Sequence, residues 1–262
     1  MEFVIEETQW LGKKGYHYES LDSTNKKAKE LAEAGCPNGT IVTASEQLAG
    51  VGRRGRSWTS EKDQGIYMSI VLRPTFDADK ASMVTLVTAL AVAKAIEALG
   101  KDCGVHPFIK WPNDIVIRGK KVCGILTEMT MKENQIGYII VGIGINIHNQ
   151  EFPKEIAHMA SSLELEFGTG VARERMTELV LVAFEHYYKL FLQEQDLSLL
   201  IEEYQQMSAN KGRSVTVLDP VGEYEGTARG ITKNGELIVE TPDGIKLVSS
   251  GEVSVRGIYG YV

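Results

Sequence analysis

The chain has 262 residues, of which 43% are hydrophobic and 24% are charged, and its net charge at pH 7 is -7. This length can bury one large domain plus a small one, and the acidic balance argues against general nucleic-acid binding. We expect a cytoplasmic protein with no membrane partner, because the three cysteines show no Cys-x-x-Cys spacing, the start lacks a signal-peptide pattern, and no apolar stretch is long enough to span a bilayer.

The first predicted element is an edge strand or hairpin within residues 3–18. The polar turn Asp22-Ser-Thr-Asn25 then precedes a helical stretch that ends before Gly35. Side chains of these types cap helix N-termini, and a glycine commonly ends a helix. The turn is therefore predicted to cap a helix.

A strand is predicted for residues 40–46, and the segment Gly50 to Trp58 follows it. Three glycines and three arginines lie between Gly50 and Arg56. Glycines let a backbone approach a ligand closely, and arginines supply fixed positive charge. We call residues 50–58 the glycine–arginine loop and predict that it binds phosphate or carboxylate, with a solvated basic turn as the structural alternative.

Two phosphate motifs overlap this loop. Gly50, Gly52 and Gly55 satisfy Gly-x-Gly-x-x-Gly, and Gly50 to Ser57 comes within one residue of a P-loop. Both motifs need a helix immediately after the glycines, because its N-terminus forms the anion site. Residues 57–65 are polar and lack a helical period. We therefore reject the Rossmann interpretation and largely reject the P-loop interpretation.

The middle of the chain alternates strands and helices. Lys110 is predicted at a strand end, residues 118–121 form a hairpin turn, and Gly142 and Gly144 lie in a strand where missing side chains would let a ligand lie against the sheet. The remaining elements are a strand at 66–72, an apolar core helix at 81–99, a strand at 136–147, and helices at 176–192 and 197–207.

The composition changes after residue 210. Short strands alternate with turns at 214–218, 224–231, 237–240 and 246–249. This spacing predicts a small SH3-like β-barrel over residues 211–262. Residues 1–210 are predicted to form an α+β domain with a mixed sheet flanked by helices.

Five motifs occur in the order found in biotin protein ligases, also called biotin–[acetyl-CoA-carboxylase] ligases. The chain resembles this family over nearly its whole length, and the motifs are Asp22-Ser-Thr-Asn25, the glycine–arginine loop, Lys110-Trp-Pro-Asn-Asp114, Gly124-Ile-Leu-Thr-Glu128 and Gly142-Ile-Gly-Ile-Asn146. The resemblance implies a class II synthetase-like catalytic domain. It also implies an ATP-dependent ligase that converts biotin to biotinyl-5'-AMP and then biotinylates a lysine of a biotin carboxyl carrier protein.

The resemblance further implies roles for individual residues. Arg53 and Lys110 are expected to be catalytic. Biotin binding is expected from Ser23, Thr24, Asn25, Gln47, Val51, Gly52, Arg53 and Lys110. ATP or adenylate binding is expected from Gly50, Arg54, Gly55, Arg56, Trp58, Asn146 and Arg256. Mg2+ is expected to accompany ATP, with Asn146 as its one named protein ligand.

The charges suit this reaction. A carboxylate that attacks an α-phosphate brings two anions together, so the site must neutralise both and hold them in line. Arg53, Arg54, Arg56 and Lys110 supply the positive charge. Val51 departs from the family pattern, in which an arginine often occupies this position, so one guanidinium is missing from the loop.

The partners expected from the resemblance are biotin, ATP and the carrier domain, and a homodimer is an open alternative. Too few residues precede Ser23 for a DNA-binding module, so we expect a ligase without repressor function and without nucleic-acid partners. Three other functions stay open at this point: a lipoate or octanoate ligase or transferase of the same broad fold, a phosphotransferase, and a non-catalytic biotin sensor.

Overall fold

The computed structural model describes residues 1–219, 222–250 and 254–257. The side chains of Asp219, Ser254 and Arg256 lie outside this description. The predicted contact between Arg256 and the nucleotide therefore falls outside the described residues, although the backbone of Arg256 lies in a strand.

Eight strands form a mixed sheet in the first part of the chain. Their order is β1-β2-β3-β4-β8-β7-β6-β5, with β2 and β3 parallel and the other neighbours antiparallel. The strands are β1 (Glu2–Phe3), β2 (Gly15–Leu21), β3 (Ile41–Gln47), β4 (Gly65–Leu72), β5 (Phe108–Lys110), β6 (Asp114–Ile117), β7 (Lys120–Lys132) and β8 (Gln135–Asn146). The predicted mixed sheet and its N-terminal edge hairpin are confirmed. The predicted turn at 118–121 is shorter, because Lys120 and Lys121 already belong to β7.

Helices cover both faces of this sheet, because the strands are apolar on both sides. They are α1 (Thr24–Glu33), α2 (Met83–Leu99), α3 (Leu163–Phe167), α4 (Arg173–Glu194) and α5 (Ile201–Gln206). Ala28 and Ala32 of α1 pack with Val42 and Val71 on one face. The other face carries α2 and α4, which pack against each other in the main core.

Helix α2 is apolar on all sides over residues 83–93 and carries Lys94 and Glu97 near its C-terminal end. Residues Ala78–Leu99 are long and apolar enough to cross a membrane by length and composition alone, which corrects the expectation that no stretch reaches that length. The segment is largely buried, and α2 contacts α4 and β7. A helix that is apolar all round and enclosed by protein is a core helix, as the sequence predicted.

The start of α1 differs from the prediction in one respect. Ser23 occupies the N-cap position with extended backbone angles, but its side chain makes no capping hydrogen bond. The Thr24 N–H instead donates to Gln47 Oε1 at 2.8 Å. A side chain of β3 thus satisfies this helix N-terminal donor, and the α1 start is tied to the sheet.

Five strands form a second, antiparallel sheet in the order β12-β11-β10-β9-β13. They are β9 (Ser214–Asp219), β10 (Gly222–Ile231), β11 (Leu237–Thr241), β12 (Gly244–Val248) and β13 (Ser254–Gly257). Trp111 Nε1 donates to Gly235 O at 3.0 Å, which ties the second sheet to the first part of the chain. The SH3-like barrel and the boundary between 1–210 and 211–262 stay predictions.

Candidate ligand site at the glycine–arginine loop

The glycine–arginine loop is a small hairpin. The Trp58 N–H donates to Gly50 O at 2.8 Å, and the Gly52 N–H donates to Arg56 O at 2.7 Å. The tip turns at Arg54 and Gly55, whose φ angles of 58° and 71° lie in the left-handed region. The next α-helix along the chain is α2. The rejection of both helix-dependent phosphate motifs is confirmed, so an anion here would be held by side chains and loop amides.

A first cavity of about 450 Å³ lies under this hairpin, beside the start of α1. This volume includes the open space at the mouth of the cavity. Seven of the eight residues expected to bind biotin line it, and Lys110 does not. The lining residues are Ser23, Thr24, Asn25, Gln47, Val51, Gly52, Arg53, Trp58, Asn113, Lys121, Gly124, Ile125, Leu126, Gly142, Ile143 and Gly144.

Gln47 holds a fixed orientation in the polar part of this wall. Its Oε1 accepts from the Thr24 N–H at 2.8 Å, and its Nε2 donates to Ser60 Oγ at 2.8 Å. Each end of the amide therefore meets a partner of the correct type. The wall combines this ordered amide with apolar side chains of β7 and β8.

Glycines form the floor of the cavity. A Cβ on Gly144 would lie 2.6 Å from the Trp58 indole, and a Cβ on Gly142 would lie 2.2 Å from Asn25 Oδ1. The glycines thus make room first for the protein's own side chains. This refines the expectation that a ligand would lie directly on Gly142 and Gly144. Lys121 Nζ lies 5.2 Å from the Trp58 ring centroid, within cation–π range.

Arg53 crosses from the loop to two other parts of the chain. Its Nη1 donates to Asn113 Oδ1 at 2.9 Å, and its Nη2 donates to Ser250 O. Burial lowers the pKa of the Arg53 guanidinium; Asp114 opposes this effect, and Arg54 and Arg56 add to it. A guanidinium stays charged after such a shift. Arg53 therefore gives the cavity a partly buried permanent cation.

Lys110 lies on β5, opposite Asp114 of β6 in the strand register. Lys110 is only 6% exposed, and such burial is unusual for a lysine. Lys110 lies three positions before Asn113 in the sequence, and Asn113 lines the first cavity. The structure confirms the rigid strand-end position that the sequence predicted, and Lys110 is not among the residues that line the first cavity.

A second cavity of about 1080 Å³ shares Trp58 and Lys121 with the first. Arg56 and Asn146, both expected to bind the nucleotide, line it together with apolar residues 152, 153, 156, 159 and 160. Trp58 Nε1 and Asn149 Oδ1 are buried without a hydrogen-bond partner among the described residues. One is a donor and the other an acceptor, and both atoms are buried from solvent in this conformation.

The other expected nucleotide residues lie apart from this wall. Arg54 lines a third cavity of about 930 Å³ with Arg53 and Ser250. Gly50 closes the base of the hairpin, where a Cβ would lie 2.3 Å from Trp58 O. Gly55 forms the exposed tip. These two glycines are explained by the loop conformation, and their contact with a nucleotide stays a prediction.

Within residues 1–219, 222–250 and 254–257, no group of side chains forms a dedicated magnesium site. The described part of the chain contains no group of three or more His, Cys, Asp or Glu residues placed to hold a metal. Asn146 Nδ2 donates to Ser161 O at 3.0 Å, which leaves its amide oxygen as a single candidate ligand. Mg2+ would have to be held mainly by nucleotide phosphates. The role of Asn146 as a metal ligand stays a prediction.

Sequence reasoning did not assign several residues that line the first cavity. Asn113 and Gly124 lie inside motifs that were recognised, so the motifs were the available signal. Lys121 carried no such signal, because its position depends on folding. Its Nζ pairs with Asp114 at 2.7 Å and is thereby held beside Trp58.

Comparisons with known proteins agree along the chain. Residues 18–146 match the biotin/lipoate A/B protein ligase family, and residues 212–256 match the biotin protein ligase C terminal domain. The chain is 38% identical over 252 residues to the bifunctional ligase/repressor BirA of Bacillus spizizenii, covering 95% of this chain and 76% of that protein. It is 32% identical over 241 residues to the biotin–[acetyl-CoA-carboxylase] ligase of Paracoccus denitrificans, covering 90% and 98%.

A solved structure gives the same result. The biotin protein ligase from Aquifex aeolicus in complex with biotin and ATP superposes with a TM-score of 0.80 at 30% identity, covering 93% of this chain and 98% of that one. The likeness therefore extends from the sequence to the three-dimensional arrangement of both sheets.

Proposed function

The chain belongs to the biotin protein ligase family and is a biotin ligase, and we propose that it makes biotinyl-5'-AMP from biotin and ATP and then biotinylates a lysine of a biotin carboxyl carrier domain. The observation that carries this proposal is the pair of cavities that meet at Trp58 and Lys121. A reaction that joins a carboxylate to an α-phosphate needs two adjoining pockets with positive charge where they meet.

Biotin suits the first cavity. Its ureido group is neutral and needs hydrogen bonds, and its ring and chain need apolar contacts. Thr24, Asn25 and Gln47 supply the polar wall, while Ile125 and Ile143 supply apolar surface. Arg53 provides the charge toward which the biotin carboxylate would point.

The adenine nucleotide suits the second cavity. Apolar side chains of residues 152–160 can enclose a flat base, and the buried donor Trp58 Nε1 and acceptor Asn149 Oδ1 can pair with its polar edge. Arg56 adds positive charge for phosphate. In this assignment the α-phosphate lies near Lys121 and Trp58, where the two cavities meet.

The first step is an in-line substitution at phosphorus. A carboxylate oxygen of biotin forms a bond to the α-phosphorus, the bond to the bridging oxygen breaks, and pyrophosphate leaves with those electrons. Arg53 and Lys110 would reduce the repulsion between the two anions and stabilise the added charge of the transition state. No side chain of the protein becomes a covalent nucleophile.

The second step transfers the acyl group. A neutral lysine amine attacks the carbonyl carbon of the mixed anhydride, the carbon–oxygen bond breaks, AMP leaves as an anion, and the amide nitrogen loses a proton. The protein's part is to hold the anhydride against loss until the amine arrives. Arg53 suits this part because it ties the loop to Asn113 and Ser250.

The carrier domain could approach along an open strand edge. Strand β6 pairs with β7 as far as Gly124, and the Ile125 N–H donates to Asn113 O at 2.9 Å. Beyond Ile125, the outer edge of β7 has no strand partner in the described part of the chain. Such an edge can accept a strand of another chain, so a carrier strand or a second copy of this chain could pair there.

The free cysteines fit a cytoplasmic location. Cys36, Cys103 and Cys123 form no disulfide among the described residues. Free thiols are typical of a reducing compartment. We therefore place the reaction in the cytoplasm.

Lipoate ligation is the second candidate, because the matched family includes lipoate ligases. The match of residues 212–256 to the biotin protein ligase C-terminal domain favours biotin. The test supplies α-labelled ATP, a carrier domain and either biotin, lipoate or octanoate. We expect AMP, pyrophosphate and one modified carrier lysine with biotin alone. ADP as product, or transfer of lipoate in preference to biotin, would contradict the proposal. A carrier with arginine in place of the acceptor lysine is the control.

A further inference from the structure

Glu128 lies outside the first cavity but contacts its wall. Its Oε2 accepts from Asn25 Nδ2 at 2.7 Å, and its Oε1 lies 2.6 Å from the ammonium of Lys29. Asn25 lines the cavity, whereas Glu128 and Lys29 do not. The reaction described above gives Glu128 no role.

The carboxylate determines which way the Asn25 amide points. An ionised carboxylate has only acceptors, so the Asn25 NH2 group must face it. The amide oxygen then faces the other way, and Asn25 Oδ1 lies 2.6 Å from Ser69 Oγ. Ser69 is fully buried on β4.

The direction of the next hydrogen bonds follows from the single hydroxyl proton of Ser69. Ser69 Oγ has two oxygen neighbours, Asn25 Oδ1 at 2.6 Å and Thr24 Oγ1 at 2.8 Å. The amide oxygen has no proton, so Ser69 must donate to Asn25. The contact between Ser69 and Thr24 is then attractive only if Thr24 donates its own proton to Ser69.

Thr24 is left as an acceptor toward the cavity. Its other neighbour, Gln47 Oε1, is farther away at 3.1 Å and already accepts from the Thr24 N–H. Once the hydroxyl proton is directed to Ser69, the lone pairs of Thr24 Oγ1 can accept from a ligand. The cavity therefore presents an acceptor at this point of its wall.

We propose that Glu128 is a positioning residue that sets the donor–acceptor direction of the chain Asn25, Ser69 and Thr24, so that Thr24 accepts a hydrogen bond from an N–H of the ligand. The inference rests on the proposed function, in which biotin supplies that N–H from its ureido group. Glu128 acts through Asn25 and does not touch the ligand. Lys29 anchors the second oxygen of the carboxylate.

Glu128→Gln tests the direction of these hydrogen bonds, because glutamine keeps the shape of the glutamate side chain. In this variant Lys29 still requires an acceptor, so the new amide oxygen faces Lys29 and the new NH2 group faces Asn25. Asn25 must then rotate its oxygen toward the donor, and the bonds through Ser69 reverse. We expect the Kd for biotin to rise about tenfold, the cost of roughly one hydrogen bond of about 1.4 kcal/mol.

Lys29→Met provides the discriminating comparison. Alone it leaves the Glu128 carboxylate facing Asn25, so we expect the Kd for biotin to change less than about threefold. Combined with Glu128→Gln, it frees the new amide to turn its oxygen to Asn25. The Kd of the double variant for biotin should therefore lie within about threefold of the wild-type value. If Glu128→Gln weakened binding only through lost charge or lost packing, the second substitution would not restore it.

Calorimetric titration of all four proteins with biotin, with thermal unfolding as the folding control, decides the matter. Weak binding by Glu128→Gln together with rescue in the double variant supports the inference. An unchanged Kd in Glu128→Gln, or a double variant as weak as Glu128→Gln, overturns it. Absence of biotin binding by the wild type would instead overturn the proposed function and this inference with it.

Discussion

Arg53 and Asn113 are 60 positions apart in sequence, and Arg53 Nη1 donates to Asn113 Oδ1 at 2.9 Å. This bond joins the glycine–arginine loop to the Lys110-Trp-Pro-Asn-Asp114 motif. The same guanidinium also donates to Ser250 O, beyond the fourth strand of the second sheet. Three separate parts of the chain therefore meet at one permanent cation beside the first cavity.

Replacing Arg53 with alanine should release the activated intermediate. The loop would lose its side-chain bonds to Asn113 and Ser250, and the cavity would lose the guanidinium charge of Arg53. We expect bystander proteins to be biotinylated on exposed lysines, measured by mass spectrometry of a mixture with and without the carrier. Arg175→Ala, which removes an exposed arginine of α4, is the matched control. Selectivity equal to that of the control would contradict this role.

Replacing Lys110 with methionine should slow adenylate formation and largely preserve packing. The side chain is buried, so methionine keeps its apolar length while removing the charge. We expect a loss of about 2–4 kcal/mol of transition-state stabilisation, by analogy with the loss of an oxyanion donor.

Pyrophosphate release in single turnover measures this loss directly. The exposed Lys120→Met is the control for charge removal. Near-normal release by the Lys110 variant would remove Lys110 from the mechanism.

Gly144→Ala should displace Trp58. The new methyl group would lie 2.6 Å from atoms of the indole, a distance that forces a shift. Because Trp58 borders both cavities, we expect weaker binding of biotin and of ATP by roughly tenfold or more, on the scale of 1–3 kcal/mol for overpacking. Gly170→Ala, whose methyl group would lie 3.7 Å from its nearest neighbour, is the control. Ligand affinities in the Gly144 variant that match the control would show that Trp58 is not fixed by this glycine.

Asp196→Asn should lower the free energy of unfolding in a pH-dependent way. Burial raises the pKa of Asp196, but bonds from Ser198 and the ammonium of Lys233 lower it more, so the net pKa is below its ordinary value. A carboxyl with a depressed folded-state pKa stabilises the protein above the unfolded value of about 3.9 and loses this contribution as the pH falls through the folded value.

At pH 7 the unfolding temperature of the variant should therefore be below that of the wild type by at most a few degrees. This difference in unfolding temperature should shrink below about pH 4. Thermal unfolding across this range measures the effect, with the exposed Asp102→Asn as the control. A difference that is independent of pH would mean that the Asp196 charge is not responsible.

Local patterns predicted most of the fold because most elements carry their own signal. The alternation and turn chemistry of residues 109–128 indicated the strands and the turn, and the apolar run before Gly100 indicated a core helix. The predicted N-cap position at the 22–25 turn is confirmed at Ser23, but its side chain makes no capping bond, because a distant side chain, Gln47, supplies an acceptor at the helix start. Sequence spacing alone cannot show such a tertiary substitution.

The site was predictable only where motifs carried it. Thr24, Gln47 and Arg53 meet at one cavity, as the family resemblance implied. The contact between Arg53 and Asn113, the position of Lys121 over Trp58, and the hydrogen bond from Asn25 to Glu128 depend on the folded sheet. Each involves residues from different elements, so no local pattern in the sequence indicates them.

Isotope exchange between labelled pyrophosphate and ATP tests the central claim most directly. The claim is that biotin and ATP react in adjoining cavities to form biotinyl-5'-AMP before any carrier is present. We predict exchange that requires biotin, needs no carrier domain, and is strongly reduced in the Lys110→Met variant. Exchange that proceeds equally without biotin, or no exchange while biotin is present, would contradict the account.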